Sequence, residues 1–180
     1  MKTTRIFGLL VIAIVILASC QEQKMRYTQA SPEIDTFKAA IADYESSNWE
    51  GYMSHYADTA KIYHNTKDKP LSAKESADLF KEQEGDFASR GFIKDEGDME
   101  MVVTDDGETW VNFWGEWQGT LAANNKVIDI PVHLTAQFID GKIVKEYGYW
   151  DGSQIMASMM EIAAAAKMTD STSAGETMNQ

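Results

Sequence analysis

The chain has a single cysteine, Cys20, so no disulfide can form within one copy and the fold must be held by its core. Basic residues are the next shortage. Lysine and arginine number 16 against 28 acidic residues, a formal charge of −12, and so acidic a chain is repelled by nucleic acid and by anionic head groups. A Gly-rich phosphate loop, a nucleophile elbow and any Cys/His metal spacing are all missing. The three histidines (His55, His64 and His133) fall on different elements, which argues against a histidine-based metal site. No cofactor is implied.

Long apolar runs are equally scarce. Ile6 to Leu17 is apolar but shorter than the roughly 20 residues a bilayer span needs. Lys2 and Arg5 precede it and "LASC" follows, which is the layout of a secretory signal. Leu17-Ala18-Ser19-Cys20 resembles the lipobox of bacterial lipoproteins, whose cysteine carries the lipid. The reading is a signal peptide over 1–19, lipidation at Cys20, a polar tether to residue 32, and an envelope location with the membrane reached through the lipid (periplasmic or cell surface). The other reading of Cys20 is a lone buried or free thiol. Loss of Lys2 and Arg5 with the leader takes the formal charge to −14. At the far end, 168–180 is small and polar and reads as a disordered tail.

What is present is one domain over 33–167. Ile34, Phe37, Ile41 and Tyr44 recur at helical spacing, and Trp49, Tyr52, Met53 and Tyr56 repeat the pattern in a second, short helix. "AKIYHN" is strand-like. Ser72 to Glu75 is a capping box that opens a third helix, expected to run to about Arg90. From Phe92 the period changes to two, with turns at "DDG", at Asn124-Asn125 and, most strongly, at Asp140-Gly141. A last helix is expected over about 153–167. Helices followed by a long antiparallel meander make an α+β fold, with the helices packed on one face of a curved sheet.

"HYADTAKIYHN", "LSAKESADLF" and above all "FIDGKIVKEYGYWD" resemble the SnoaL-like polyketide cyclases of the nuclear transport factor 2-like superfamily. The resemblance implies a cone: a strongly bent sheet wrapped around the N-terminal helices, with a pocket at its wide end. It fixes architecture better than activity, because such a fold hosts many functions.

Tight turns at Asn124-Asn125 and Asp140-Gly141 sort the strand faces, since opposite residues share a face. Trp117 then opposes Val132, Leu134 opposes Tyr147, and Ile130 opposes Asp151. Phe113, Trp117, Leu134, Tyr147 and Tyr149 fall on the apolar face, and with Tyr52 and Tyr56 they are the candidate ligand-binding residues. Trp110, Trp114, His133, Glu146 and Trp150 fall on the other face, unless a bulge at Pro131 reverses it. Three tryptophans there suggest a homodimer contact, or else cover from the C-terminal helix. His64 shares a face with Ile62 at the pocket rim, where it is either a general base or a structural histidine. Asp151 is either a pocket carboxylate or a helix cap with Gln154 completing a capping box.

Related epoxide hydrolases pair such an aspartate with an arginine and a second aspartate on a neighbouring strand. The matching face here offers Val111, Phe113, Gly115 and Trp117, so that chemistry is not expected. Three readings remain. The domain binds a small apolar or aromatic molecule without catalysis. Or it is a cofactor-free isomerase, cyclase or dehydratase that uses Asp151 or His64 as base and a tyrosine as electrophile. Or it is an interaction module with a plugged pocket.

Overall fold

A computed structural model describes residues 26–176, and Cys20 with the leader lies outside them. Helix α1 (Pro32–Glu45) starts where Ser31 Oγ accepts from the Ile34 N–H, with Pro32 supplying a pre-set φ in the first turn. Helix α2 (Trp49–Ser54) follows, then strand β2 (Tyr56–His64). Helix α3 (Ala73–Glu82) opens on the expected capping box: Ser72 Oγ accepts from the Glu75 N–H, and the Glu75 carboxylate accepts from the Ser72 N–H. Strands β3 (Phe87–Phe92), β4 (Asp98–Val103), β5 (Thr109–Leu121), β6 (Val127–Ile139) and β7 (Lys142–Trp150) follow, and helix α4 (Ser153–Glu176) ends the described chain.

Three boundaries differ from the sequence reading. Helix α3 stops at Glu82 because a short 3-10 turn over Glu84–Asp86 delivers Phe87–Phe92 to the edge of β5, where Phe92 pairs with Trp117. In the stretch read as tether, Tyr27–Thr28 forms a strand, β1, paired to Val102 and Met101 of β4. Helix α4 continues past Lys167 to Glu176 instead of giving way to a tail at 168.

The sheet is seven-stranded, in the order β1-β4-β5-β6-β7-β2, with β3 also paired to β5. All pairs are antiparallel except β2 with β7. Its inner face closes on Ile34, Phe37 and Ala40 of α1, which are 1% exposed each, and on Ile62, Val111 and Ile143, which are fully buried. A second cluster of Trp117, Leu121, Ile128 and Ile130 is covered by Ile155, Met159 and Ile162 of α4. The fold is therefore α+β, with a curved, unclosed sheet, N-terminal helices and a C-terminal helix.

The two hairpins treat the predicted faces differently. At the first, the turn spans Ala122 to Asn125, closed by the Leu121 N–H on the Lys126 carbonyl. Trp117 consequently pairs with Ile130, not Val132. That slip is two residues, an even number, so the faces of β5 and β6 are kept. Pairing runs unbroken through Glu116 and Pro131, so the strand has no bulge there. At the second hairpin Asp140 and Gly141 both take positive φ, 51° and 75°, as a tight primed turn requires. Phe138 pairs with Ile143 as expected. The register then shifts, Gln137 pairing with Lys145, so Val144 is an extra residue on β7. One extra residue flips every later side chain.

Inner-face glycines make room for aromatic rings. A Cβ on Gly115 would collide with the ring of Phe113, and one on Gly119 with the ring of Trp117. Each ring lies back over the glycine two positions on, which lets the sheet bend around its own side chains. Gly115→Ala should cost about 1–3 kcal/mol by overpacking, read as a lowered midpoint in urea denaturation with an unchanged slope. A wild-type midpoint would mean that Phe113 moves aside freely.

Candidate functional site

The inner face and the helices enclose a cavity of about 140 Å³. An apolar cavity of comparable size holds a benzene-sized molecule. Helix α1 contributes Phe37, Ile41 and Tyr44, and α3 contributes Phe80. From the sheet come Phe92, Trp117, Ile130 and Leu134, with Ile155 of α4 at one side. The polar groups that interrupt this apolar wall are few, and Glu146, Tyr56, His64 and Arg90 are the ones with chemical consequence.

Glu146 owes its place to the bulge at Val144. Strict alternation from Ile143 would have turned Lys145, Tyr147 and Tyr149 inward; instead Glu146, Gly148 and Trp150 face the core, and Glu146 is 4% exposed. Burial pushes its carboxyl up to about 7, against the opposing pull of a hydrogen bond from Tyr56. That bond is short, 2.7 Å from Tyr56 Oη to Glu146 Oε2. Tyr56 Oη lies 3.1 Å from Tyr52 Oη, which lies 3.1 Å from Ser76 Oγ. Each hydroxyl has one proton to give. Tyr56 Oη is placed to donate to Glu146 Oε2 or to Tyr52 Oη, and with Glu146 ionised its one proton goes to the carboxylate; between Tyr52 and Ser76 either hydroxyl can donate. Tyr56 is therefore the one donor to the Glu146 carboxylate among the described residues. Burial and the neighbouring carboxylate raise both tyrosines well above the ordinary phenol value, so both stay neutral.

His64 lies on β2 beside Gly148, its ring between Phe80 at 5.3 Å and Trp150 at 5.2 Å. Desolvation lowers its pKa to about 4, so the imidazole is neutral at pH 7. Its Nδ1 is buried and has no hydrogen-bond partner within the described residues. An unpaired buried nitrogen costs about 1–3 kcal/mol, which a ligand's polar group could recover. Arg90 is committed to structure: it donates to the Tyr44 carbonyl and Ser47 Oγ while its guanidinium lies over the Tyr44 ring at 4.4 Å.

The candidate residues from the sequence are thus divided. Tyr56, Trp117, Leu134 and His64 line the cavity. Tyr52 is buried behind Tyr56, and Phe113 is turned onto Phe92 at 4.9 Å and lies over Gly115. Tyr147 and Tyr149 are not in the cavity. The bulge puts them on the outer face, where Tyr147 stacks on Tyr63 at 4.8 Å and Tyr149 stands 6.2 Å from His133. Trp150 is the converse correction, expected outside and found in the cavity wall, so Trp110 and Trp114 remain of the outer three.

Asp151 is exposed beyond the end of β7. It accepts from the Ser153 N–H at 2.9 Å, and that bond holds its carboxyl below the ordinary value. It is a turn residue at the start of α4, away from the cavity. Glu146 and Trp150 were missed because the bulge was missed. The one signal was Lys145, a charged residue that unbroken alternation would have buried.

Among the described residues no group of three or more His, Cys, Asp or Glu converges, and no helix is long and apolar enough to cross a membrane. No family model and no curated protein matches the sequence. Solved structures do. A candidate polyketide cyclase of Xanthomonas campestris pv. campestris superposes with a TM-score of 0.59 at 12% identity, covering 72% of this chain and 98% of its own. An NTF2-like protein of unknown function from Burkholderia pseudomallei gives 0.56 at 12% identity over 71% and 97%. TerC, crystallised with polyporic acid, gives 0.55 at 13% identity over 71% and 97%. The chain has the fold of the SnoaL-like and NTF2-like proteins.

Proposed function

We propose that this domain binds a small, uncharged, apolar or aromatic molecule carrying one polar group, which Glu146 and His64 receive inside the cavity. The observation that carries the reading is Glu146: a carboxyl buried in an aromatic wall, whose one hydrogen bond among the described residues is from Tyr56 to Oε2. Near its midpoint it can donate to a carbonyl or accept from a hydroxyl. An anionic ligand would meet the ionised form and be repelled. TerC, which shares the fold, was crystallised with polyporic acid, in keeping with a small-molecule pocket.

The same carboxyl favours a second reading, proton transfer. A base poised near the operating pH maximises both its correct protonation state and its driving force, and Glu146 stands there at about 7. The Tyr56 hydroxyl would stabilise the ionised form. The domain would then be a cofactor-free isomerase or cyclase with Glu146 in the role first considered for Asp151. His64, neutral and unpaired, would serve as hydrogen-bond partner to a developing enolate.

Cyclohexanone separates the two readings. Binding predicts saturable shifts of the Trp150 and Trp117 indole resonances, with benzoate at pH 8 giving none. Proton transfer predicts in addition that α-deuterium exchange in heavy water exceeds the buffer rate, rises through pH 7, and falls by about 10²-fold or more in Glu146→Gln. Shifts without exchange leave a binding domain; no shifts at all end both readings.

Stability should report the same carboxyl. Its folded pKa lies above the unfolded value, so the folded state holds the proton more tightly. The resulting stabilisation is complete below pH 4.5 and is lost as pH rises to about 7. Glu146→Gln keeps the shape and removes the titration. Its stability relative to wild type should therefore rise by about 3 kcal/mol between pH 4.5 and 8, measured by urea denaturation across that range. Parallel curves for the two proteins would show that Glu146 ionises in the ordinary carboxylate range.

We further propose that the domain is held at the bacterial envelope by a lipid on Cys20, a reading supported by the leader and by "LASC". Cys20→Ala should move the protein from the membrane fraction to the soluble fraction in cell fractionation. Unchanged membrane retention would remove the anchor from the account.

A further inference from the structure

The outer face of the sheet carries a second concavity, a shallow basin of about 440 Å³ that shares only Val132 and the strands themselves with the cavity inside. Its floor is a row of directly paired residues. Asp98 on β4 pairs with Trp114 on β5, Trp114 with His133 on β6, and His133 with Tyr149 on β7. The rings lie nearly parallel, Trp114 and His133 at 4.9 Å and 26°, His133 and Tyr149 at 6.2 Å and 11°. His133 Nδ1 is 3.1 Å from the Phe113 carbonyl, which can only accept, so that nitrogen carries a proton and the imidazole is held in place.

Strand order puts β4 and β6 on opposite sides of β5. The imidazole therefore covers one face of the Trp114 indole, and the other face is left on the side of Asp98. Trp114 is 45% exposed and Tyr149 49%, a large amount of ring for water to cover. Around them stand Glu96, Asp98 and Glu116, and among the described residues none of the three has a Lys, Arg or His within ion-pair distance.

An indole face attracts cations through its quadrupole, and prefers weakly hydrated ones that give up water easily. Carboxylates beside that face add Coulomb attraction of the same sense. A sodium ion gains little from the ring, and a neutral molecule gains nothing from the three charges. We propose that this basin binds an organic cation, an alkylammonium or guanidinium group, with its charge between the free face of Trp114 and the carboxylates of Asp98, Glu96 and Glu116. The site is independent of the inner cavity and of what that cavity binds.

Tetramethylammonium chloride is the probe, titrated at constant ionic strength against sodium chloride, with the full chain held in a non-ionic detergent. The expected result is a saturable shift of the Trp114 indole N–H and of amides near 96–98, 114–116 and 149, with no response to sodium. Trp114→Ala should abolish it. Asp98→Asn with Glu116→Gln, which keeps every side chain's size, should weaken it about tenfold. Glu146→Gln should leave it unchanged. Equal responses to the two salts would reduce the effect to screening and overturn the site. So would shifts confined to residues of the inner cavity. A third contrary result is a chain that sediments as a pair, gives no shift, and becomes single in Trp114→Ala; the face would then be taken by a second copy.

Discussion

Between Lys142 and Trp150 the strand β7 carries one residue more than β6 needs to pair with it, and side chains on a strand alternate with a period of two. Everything downstream of Val144 therefore changes sides. Glu146 and Trp150 enter the cone, while Tyr147 and Tyr149 leave it. The chemistry of the interior and the aromatic row outside are two consequences of the same extra residue. Without it, the cavity would be lined by tyrosines and a lysine, and the outer face would hold a tryptophan and a free carboxylate.

The bulge works because the surrounding sheet is built to accept it. For three inner rings a glycine stands two residues away: Phe113 over Gly115, Trp117 over Gly119, Trp150 over Gly148. Side chains folded back in this way occupy the concave surface without pushing the helices off it. The cost is a strand segment with weak intrinsic preference for extended structure, offset by ring burial of the order of 1.5–3 kcal/mol per side chain. What space is left over is the cavity.

A buried carboxyl among aromatic rings is expensive when charged, and the fold meets that expense locally. Tyr56 donates to Glu146, and its hydroxyl is linked in turn to those of Tyr52 and Ser76. The Tyr56 hydroxyl stabilises the anion without adding charge, so the carboxyl is left close to the midpoint between its two forms. His64 is treated in the opposite way. It is desolvated, left without a partner at Nδ1, and hence kept neutral. Two titratable groups in one cavity thus have their ordinary order reversed, Glu146 raised to about 7 and His64 lowered to about 4. Arg90 contributes through packing, its guanidinium pinned to the α1 end and the Tyr44 ring.

Much of the architecture was legible in the residues. The helical spacing of Ile34, Phe37 and Ile41, the capping box at Ser72 and the Asp140-Gly141 turn are local signals, each set by neighbours within a few positions. Alternation in β5 and β6 placed Trp117, Leu134 and Ile130 inside, and an even slip at the first hairpin left those faces intact. The sequence offered Asp151 as a helix cap with Gln154; the structure has it one residue earlier, accepting from the Ser153 N–H in the turn before α4. What no local pattern decided was the pairing of Gln137 with Lys145. A bulge is a relation between two strands, chosen by which arrangement buries Ile143 and Trp150 together while leaving Lys145 in water. That choice belongs to the assembled sheet, and through it the tertiary structure alone decided that the carboxyl in the cavity is Glu146.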